Sequence, residues 1–442
     1  MCAPISPGGA PLALVGAAEL LRLPDDDLER LPQSRAQELR LEPGELVLDG
    51  ESIAGFEADS SCVRVDASGC AVVPGFVDCH THLPFAGWRA GEYAQKIAGT
   101  SYTEIAYEGG GIRASARALA NASDAQVLAQ SRALADEMLR HGTTTFECKS
   151  GYGLSVEGEL RALGLAGELL DLVPQGGSVT ALLAHAVPDG YSASDWMDAV
   201  EGMLDAVRAQ TRAGALDIFV ESIAFSNDDL LRMGRLARRH GLALRAHVEQ
   251  LSSYGSARVA IAAGARSVDH LSCMPLDDIP ALADAECAAV LLPGAEFIGA
   301  ERTAPGRELA DGGAVCALAT DLNPGTSPIV SLPLIAGLAV RRYEWSVKEA
   351  LLALTLNAAW VLGVSSQCGA LSVGRRADVL LLDSAVNHIP YRFGHNPVAA
   401  VFVAGRPVWV RDDHAWRFEG LAGTAAATPR AKTVRTEGHN CE

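Results

Sequence analysis

Aromatic side chains are scarce in this chain: Phe, Trp and Tyr make up 5% of its 442 residues. That speaks against a broad recognition surface built on Trp and Tyr, and suits a closely packed α/β protein rich in Gly and Ala. Positive charge is also in deficit, with 36 Lys and Arg against 54 Asp and Glu, a formal net charge of −18. Nucleic acid and anionic membrane are therefore not expected as partners. A local basic pocket for a small molecule stays open. No run approaches the roughly 18 uncharged apolar residues of a membrane span. The apolar stretch 11–23 is interrupted by Glu19 and Arg22 and has no basic leader, so no signal peptide is predicted and the cytoplasm is expected. The ten cysteines form no CxxC pair. Zinc ribbons and thioredoxin-type redox sites find no support, and a reducing compartment is the simpler reading.

What is present is apolar and periodic. Apolar residues account for 49% of the chain, enough for one large barrel and a smaller domain. Short β-branched or apolar runs at 72–78, 143–148, 179–184, 216–221, 242–246, 267–269, 288–292 and 315–320 alternate with amphipathic segments. One such segment, 124–140, carries Val127, Leu128, Leu134, Met138 and Leu139; another, ending at His240, has Asn227 as its expected cap. Eight alternations predict a (β/α)8 TIM-type barrel over residues 74–364. The flanks, 11–73 and 365–415, show short strands with Gly and Pro punctuation and are expected to join into one small β-sandwich domain. Residues 423–442, polar and rich in Thr and Arg, are expected to be a disordered tail.

Polar residues recur where the predicted barrel strands end. His80 and His82 follow the first strand, Lys149 ends the second, His185 the third and Glu221 the fourth. His247 ends the fifth, His270 the sixth, and Asp321 follows the eighth. In a barrel these ends meet at the catalytic face. His80 and His82, two apart on extended chain, can share a metal ion, and His247 and Asp321 complete a mixed nitrogen and oxygen set suited to zinc or iron. Such an ion brings a bound water's pKa from about 15.7 towards about 7. Any one histidine has a bland explanation; the set of four does not. His141 and His240 sit at helix ends before Gly and read as capping or dipole residues. Lys149 is open to two readings, a carbamylated bridge to a second metal or a structural ion pair, and Glu221 is equally open between a supporting and a structural role.

The run Val73-Pro74-Gly75-Phe76-Val77-Asp78-Cys79-His80-Thr81-His82 resembles the opening metal motif of the amidohydrolase superfamily. Pro84-Phe85-Ala86-Gly87-Trp88-Arg89, Lys149-Ser150-Gly151-Tyr152-Gly153, Ala184-His185-Ala186-Val187-Pro188, Asp321-Leu322-Asn323-Pro324-Gly325, Asn357-Ala358-Ala359 and Pro390-Tyr391-Arg392-Phe393-Gly394 resemble its imidazolonepropionase family. The resemblance runs from about residue 44 to 410. It implies one metal ion, zinc or iron, on His80, His82, His247 and Asp321, and hydrolysis of the ring amide of 4-imidazolone-5-propanoate to N-formimino-L-glutamate, a step of histidine degradation. It implies Arg89 on the propionate, with Tyr152, His185, Asn323, Gly325 and Thr326 lining the pocket, and a homodimer. Chemistry points the same way. A carboxylate calls for the guanidinium fork, His185 can donate to a developing oxyanion, and Asp321 and His270 can carry protons.

One position departs from the family. The residue expected as Glu after the fifth strand is Gln250, which can orient water but cannot act as a base. Gln250 thus leaves three functions to weigh: imidazolonepropionase, a related amidohydrolase or deaminase for another heterocycle, and a metal-binding homologue without activity.

Overall fold

The computed structural model describes residues 10–299 and 302–419; the expected tail lies outside them. Eight parallel strands form one sheet: β1 (Phe76–Asp78), β2 (Thr143–Lys149), β3 (Gly176–Ala184), β4 (Ala213–Phe219), β5 (Ala243–Val248), β6 (Ala265–His270), β7 (Ala288–Leu291) and β8 (Val315–Leu318). Each pairs with its successor, as right-handed strand–helix crossovers allow. The ring closes just past β1 and β8, where Thr81 bridges Leu322. There Asp321 N donates to His80 O at 3.0 Å and His82 N to Leu322 O at 2.9 Å. The carboxylate of Asp78 strengthens this seam by accepting from Thr320 N and Oγ1, at 3.1 and 2.6 Å. Barrel closure and the predicted ligands thus share a few residues.

The helices sit where amphipathic spacing puts them. Asp124–Arg140 buries Val127, Leu128, Leu134, Met138 and Leu139, each worth roughly 1.5–3 kcal/mol on full burial. Reciprocal Ser caps start three long helices, Ser123 with Gln126, Ser192 with Asp195 and Ser226 with Asp229. The cap expected at Asn227 therefore lies one residue earlier. No helix among the described residues is long and apolar enough to cross a membrane.

The chain's two ends build a second, mixed sheet of eight strands. Its centre is Leu12–Arg22, the stretch whose apolar character was legible but whose strand was not. This strand pairs antiparallel with Arg40–Asp49, and its register slips near Ala17. The first half runs parallel to Val63–Asp66 and the second to Ala71–Pro74. Both halves enclose one apolar core that includes Leu14, Leu48, Val72, Leu381 and Phe402. The single strand expected over 72–78 is two. Ala71–Pro74 pairs with Val379–Leu382 in this sheet, whereas Phe76–Asp78 pairs with β2. Apolar residues on both sides of Pro74-Gly75 hid a change of sheet at Gly75, whose N–H donates to Asp378 O at 2.9 Å.

Candidate active site

His80 and His82 leave the end of β1, His247 stands near the end of β5, and Asp321 follows β8; all four are buried. Alternation along extended chain turns both His80 and His82 inward. One ring nitrogen of His80 and of His247 is already used: His80 Nδ1 lies 2.6 Å from Asp269 Oδ2 and His247 Nδ1 lies 3.1 Å from Asp217 Oδ1. A carboxylate accepts, so both Nδ1 atoms carry the proton and both Nε2 atoms present lone pairs. Those Nε2 atoms are buried and have no hydrogen-bond partner, and Asp321 Oδ1 shares that condition. Asp321 Oδ1 lies 3.5 Å from His80 Nε2 and 3.2 Å from His82 Nε2. Ligand atoms of His80, His82 and His247 fall within 4.8 Å of one another, as do those of His80, His270 and Asp321. Burial holds His80 and His82 well below the usual histidine range, neutral as metal ligation requires. Stranded acceptors this close would be costly without a cation between them, so the donor set fits a divalent metal ion.

The pocket above the cluster is lined by His82, Arg89, Tyr152, His185, Gln250, His270, Asp321, Asn323 and Thr326, with Ile112 and Phe219 as its apolar part. Tyr152 is carried by a loop wound around a buried carboxylate. Glu159 accepts from Gly151 N, Gly153 N and Leu154 N at 2.7–2.9 Å. Gly153 leaves no room for a side chain, since a Cβ there would sit 2.2 Å from Glu159 N. The same loop sets His185, whose Nδ1 is 3.0 Å from Gly151 O. A carbonyl can only accept, so Nδ1 holds the proton and neutral His185 offers Nε2 as an acceptor. Burial keeps it neutral. The expected donation to an oxyanion would need the imidazolium form, which this environment disfavours.

The Arg89 residue is half-buried but its side chain is only 8% exposed, and neither Nε nor Nη1, both buried, has a hydrogen-bond partner; Glu92 Oε2 lies 3.6 Å from Nε. Its guanidinium packs against the backbone at Gly325, where a Cβ would come within 1.8 Å of Nη2. Asn323, at the pocket wall, also organises its loop. Oδ1 accepts from Gly325 N and Thr326 N, while Nδ2 donates to Asp321 O and Thr326 Oγ1, all at 2.7–2.9 Å.

The amidohydrolase family model matches residues 71–408. Imidazolonepropionase from Herpetosiphon aurantiacus is 40% identical over 85% of this chain and 91% of its own length. Imidazolonepropionase from Rubrobacter xylanophilus is 41% identical over 80% and 86%. The chain belongs to the imidazolonepropionase family of amidohydrolases. Solved structures carry the same fold at low identity. An adenosine deaminase from Xanthomonas campestris with bound zinc superposes with a TM-score of 0.64 at 17% identity, over 92% of this chain and 94% of its own. Escherichia coli guanine deaminase gives 0.65 at 16%, over 91% and 99%.

Within this imidazolonepropionase-family site, Gln250 faces the pocket and its neighbour Glu249 does not. Glu249 turns away and accepts from Tyr254 N and Ser256 N at 2.8 and 2.7 Å. Glu221 holds the same loop by accepting from Leu251 N, Ser252 N and Ser252 Oγ at 2.7–3.1 Å. Of its two readings, the structural one matches. Lys149 also resolves. Its Nζ is fully buried, 2.7 Å from Asp217 Oδ2 and 2.9 Å from Glu147 Oε2, an ammonium between carboxylates rather than a carbamate bridging metals. Left-handed backbone clusters here: φ is 53° at Glu249, 82° at His270, 63° at Leu271 and 53° at Asp321. Each costs of order 1–3 kcal/mol, and such strain gathers at functional sites.

Sequence reasoning missed Glu147, Asp217, Arg245 and Asp269, all buried beneath the histidines. Their signal was available: Glu147 stands two before Lys149 and Arg245 two before His247, hence on the same inward face. Asn357, matched as a motif, ties the chain together instead. It accepts from Leu31 N at 3.0 Å and donates to Leu31 O and Cys316 O at 2.9 and 3.0 Å.

Proposed function

We propose that this protein hydrolyses the ring amide of 4-imidazolone-5-propanoate to N-formimino-L-glutamate, using one divalent metal ion held by His80, His82, His247 and Asp321. The observation that carries it is the pairing of two buried features in one pocket: unpartnered acceptors on His80, His247 and Asp321, and an underused guanidinium on Arg89. The first suits a cation and the second suits the propionate carboxylate.

A metal ion bound there supplies a water molecule acidic enough to attack near neutral pH. The protein's own groups do the rest. Arg89 grips the carboxylate and fixes the ring's distance from the histidines. Thr326 and the backbone at Gly325 shape that end of the pocket, with Asn323 holding both in place. Tyr152 and His185 face the ring from the other side, and His185 Nε2 receives a ring N–H. Asp321 takes a proton from the attacking water and returns it to the ring nitrogen as the C–N bond breaks. His270, which burial pushes down to about 3, is neutral and able to relay a proton. Gln250 orients the water by hydrogen bonding. The same reading takes the metal as zinc or iron, the assembly as a homodimer and the compartment as the cytoplasm.

The test is to generate imidazolone propanoate in place from urocanate and follow its ultraviolet absorbance on adding metal-loaded protein. Rapid loss with N-formiminoglutamate in the product supports the assignment; decay at the rate without enzyme overturns it. Gln250 favours one second reading, a related cyclic amide or heterocycle as substrate. Turnover within a panel of hydantoins, lactams and aminopurines, alongside inert imidazolone propanoate, would select it.

A further inference from the structure

Directly below the ligand histidines, the barrel interior departs from the branched aliphatic layers usual for this fold. Glu147 and Lys149 on β2, Asp217 on β4, Arg245 on β5 and Asp269 on β6 are each at most 1% exposed. Strand register brings them together: Arg245 pairs across with Asp217 on one side and Ser267 on the other, and His247 pairs with Asp269. Asp217 gives Oδ1 to His247 and Oδ2 to Lys149. Asp269 Oδ2 accepts from His80 Nδ1 at 2.6 Å and from Arg245 Nη2 at 2.8 Å. Arg245 also donates to Cys79 O at 2.8 Å, next to His80, and to Ser267 Oγ at 2.9 Å. Glu147 touches both cations, Lys149 at 2.9 Å and Arg245, and neither histidine. Each carboxylate that orients a ligand imidazole is thus held by its own permanent cation.

We propose that Lys149 and Arg245 are positioning residues for the metal centre, fixing Asp217 and Asp269 so that His247 and His80 keep Nε2 turned towards the ion, with Glu147 as the brace between them. This rests on the metal set proposed above. A carboxylate with only the histidine as partner can rotate, and the imidazole follows it. Partners of this kind change metal affinity by about 10- to 100-fold. A purely structural ion-pair cluster would stabilise the barrel and leave metal affinity alone.

Two variants separate these roles. Lys149→Met removes a cation. Lys149→Met with Glu147→Gln removes one charge of each sign and leaves the cluster's net charge as in the wild type. Zn2+ affinity is measured by competition with a chromophoric chelator, beside the melting temperature of the metal-free proteins. The expected result is Zn2+ binding about 10- to 100-fold weaker in the double variant, with its metal-free melting temperature recovered towards wild type. Wild-type affinity in the double variant overturns the proposal. Loss of fold in both variants, or an affinity that recovers in step with melting temperature, assigns the pair to barrel stability and also overturns it. Wild-type protein that binds no Zn2+ overturns instead the metal set itself.

Discussion

The sheet built from the chain's two ends and the mouth of the barrel exclude water to a similar degree, yet they fill the space with opposite materials. The sheet's core is Leu, Val, Ala, Ile and Phe with Cys70, and Leu14, Leu381 and Phe402 are fully buried. The barrel mouth buries the carboxylates of Glu147, Asp217, Asp269 and Asp321, two cations and a ring of histidines. Apolar burial favours folding by about 25 cal/mol per Å2, whereas buried charge at best breaks even against a hydrophobic replacement. A core of the second kind is explained by what it holds in position.

Substitutions can break this contrast. Asp321→Ala is expected to have the largest effect on activity, at least about 10³-fold in kcat, while the melting temperature changes little; near-wild-type turnover would remove Asp321 from the proton path. Arg245→Met should cost roughly 3–5 kcal/mol by leaving Asp269 and Glu147 short of a partner, and should weaken metal binding as well. Leu381→Ala, in the apolar sheet, should cost a similar 2–5 kcal/mol, but metal binding and kcat of the folded fraction should stay as in the wild type. Chemical denaturation with metal analysis compares the two, and equal effects on metal content would erase the distinction between the cores.

Arg89→Ala is expected to raise KM by roughly 10- to 100-fold, the worth of a charge-assisted fork, with a smaller change in kcat. A kcat loss at unchanged KM would contradict a carboxylate-binding role. The smallest effect concerns Glu296, a buried acid away from the metal set. Burial pushes it up to about 7, with Ala304 N and Arg342 acting in the opposite sense. A carboxyl whose folded pKa lies above its unfolded value adds stability below the unfolded pKa and loses it as pH rises through about 7. Melting temperatures of Glu296→Gln should therefore fall less than those of wild type between pH 5 and pH 8. Parallel curves would show that Glu296 does not titrate there.

Much of the barrel was legible because strand ends carry chemistry at a fixed place. The count of eight strands came from local apolar runs, and His80, His82, His247 and Asp321 came from their position after those runs. What stayed hidden depended on contacts between distant segments. Leu12–Arg22 read only as apolar, because its partners lie at 40–49, 63–66 and 71–74. The change of sheet at Gly75 is marked locally by the Pro74-Gly75 pair, but apolar residues on both sides let the stretch read as one strand. Asp217 and Asp269 look like ordinary charged residues until the closed barrel puts each beside a histidine of the proposed metal set. His185 was named as a pocket residue, but the polarity of its free nitrogen depends on a carbonyl 34 positions away.

The most direct measurement is a metal titration of turnover: strip the protein of metal, add Zn2+ or Fe2+ stepwise, and follow hydrolysis of imidazolone propanoate. The account predicts no activity in the stripped protein and a linear rise that breaks at one ion per chain. His247→Ala should show no such rise. Full activity in stripped protein, or a fully loaded protein that leaves the ring intact, would contradict it.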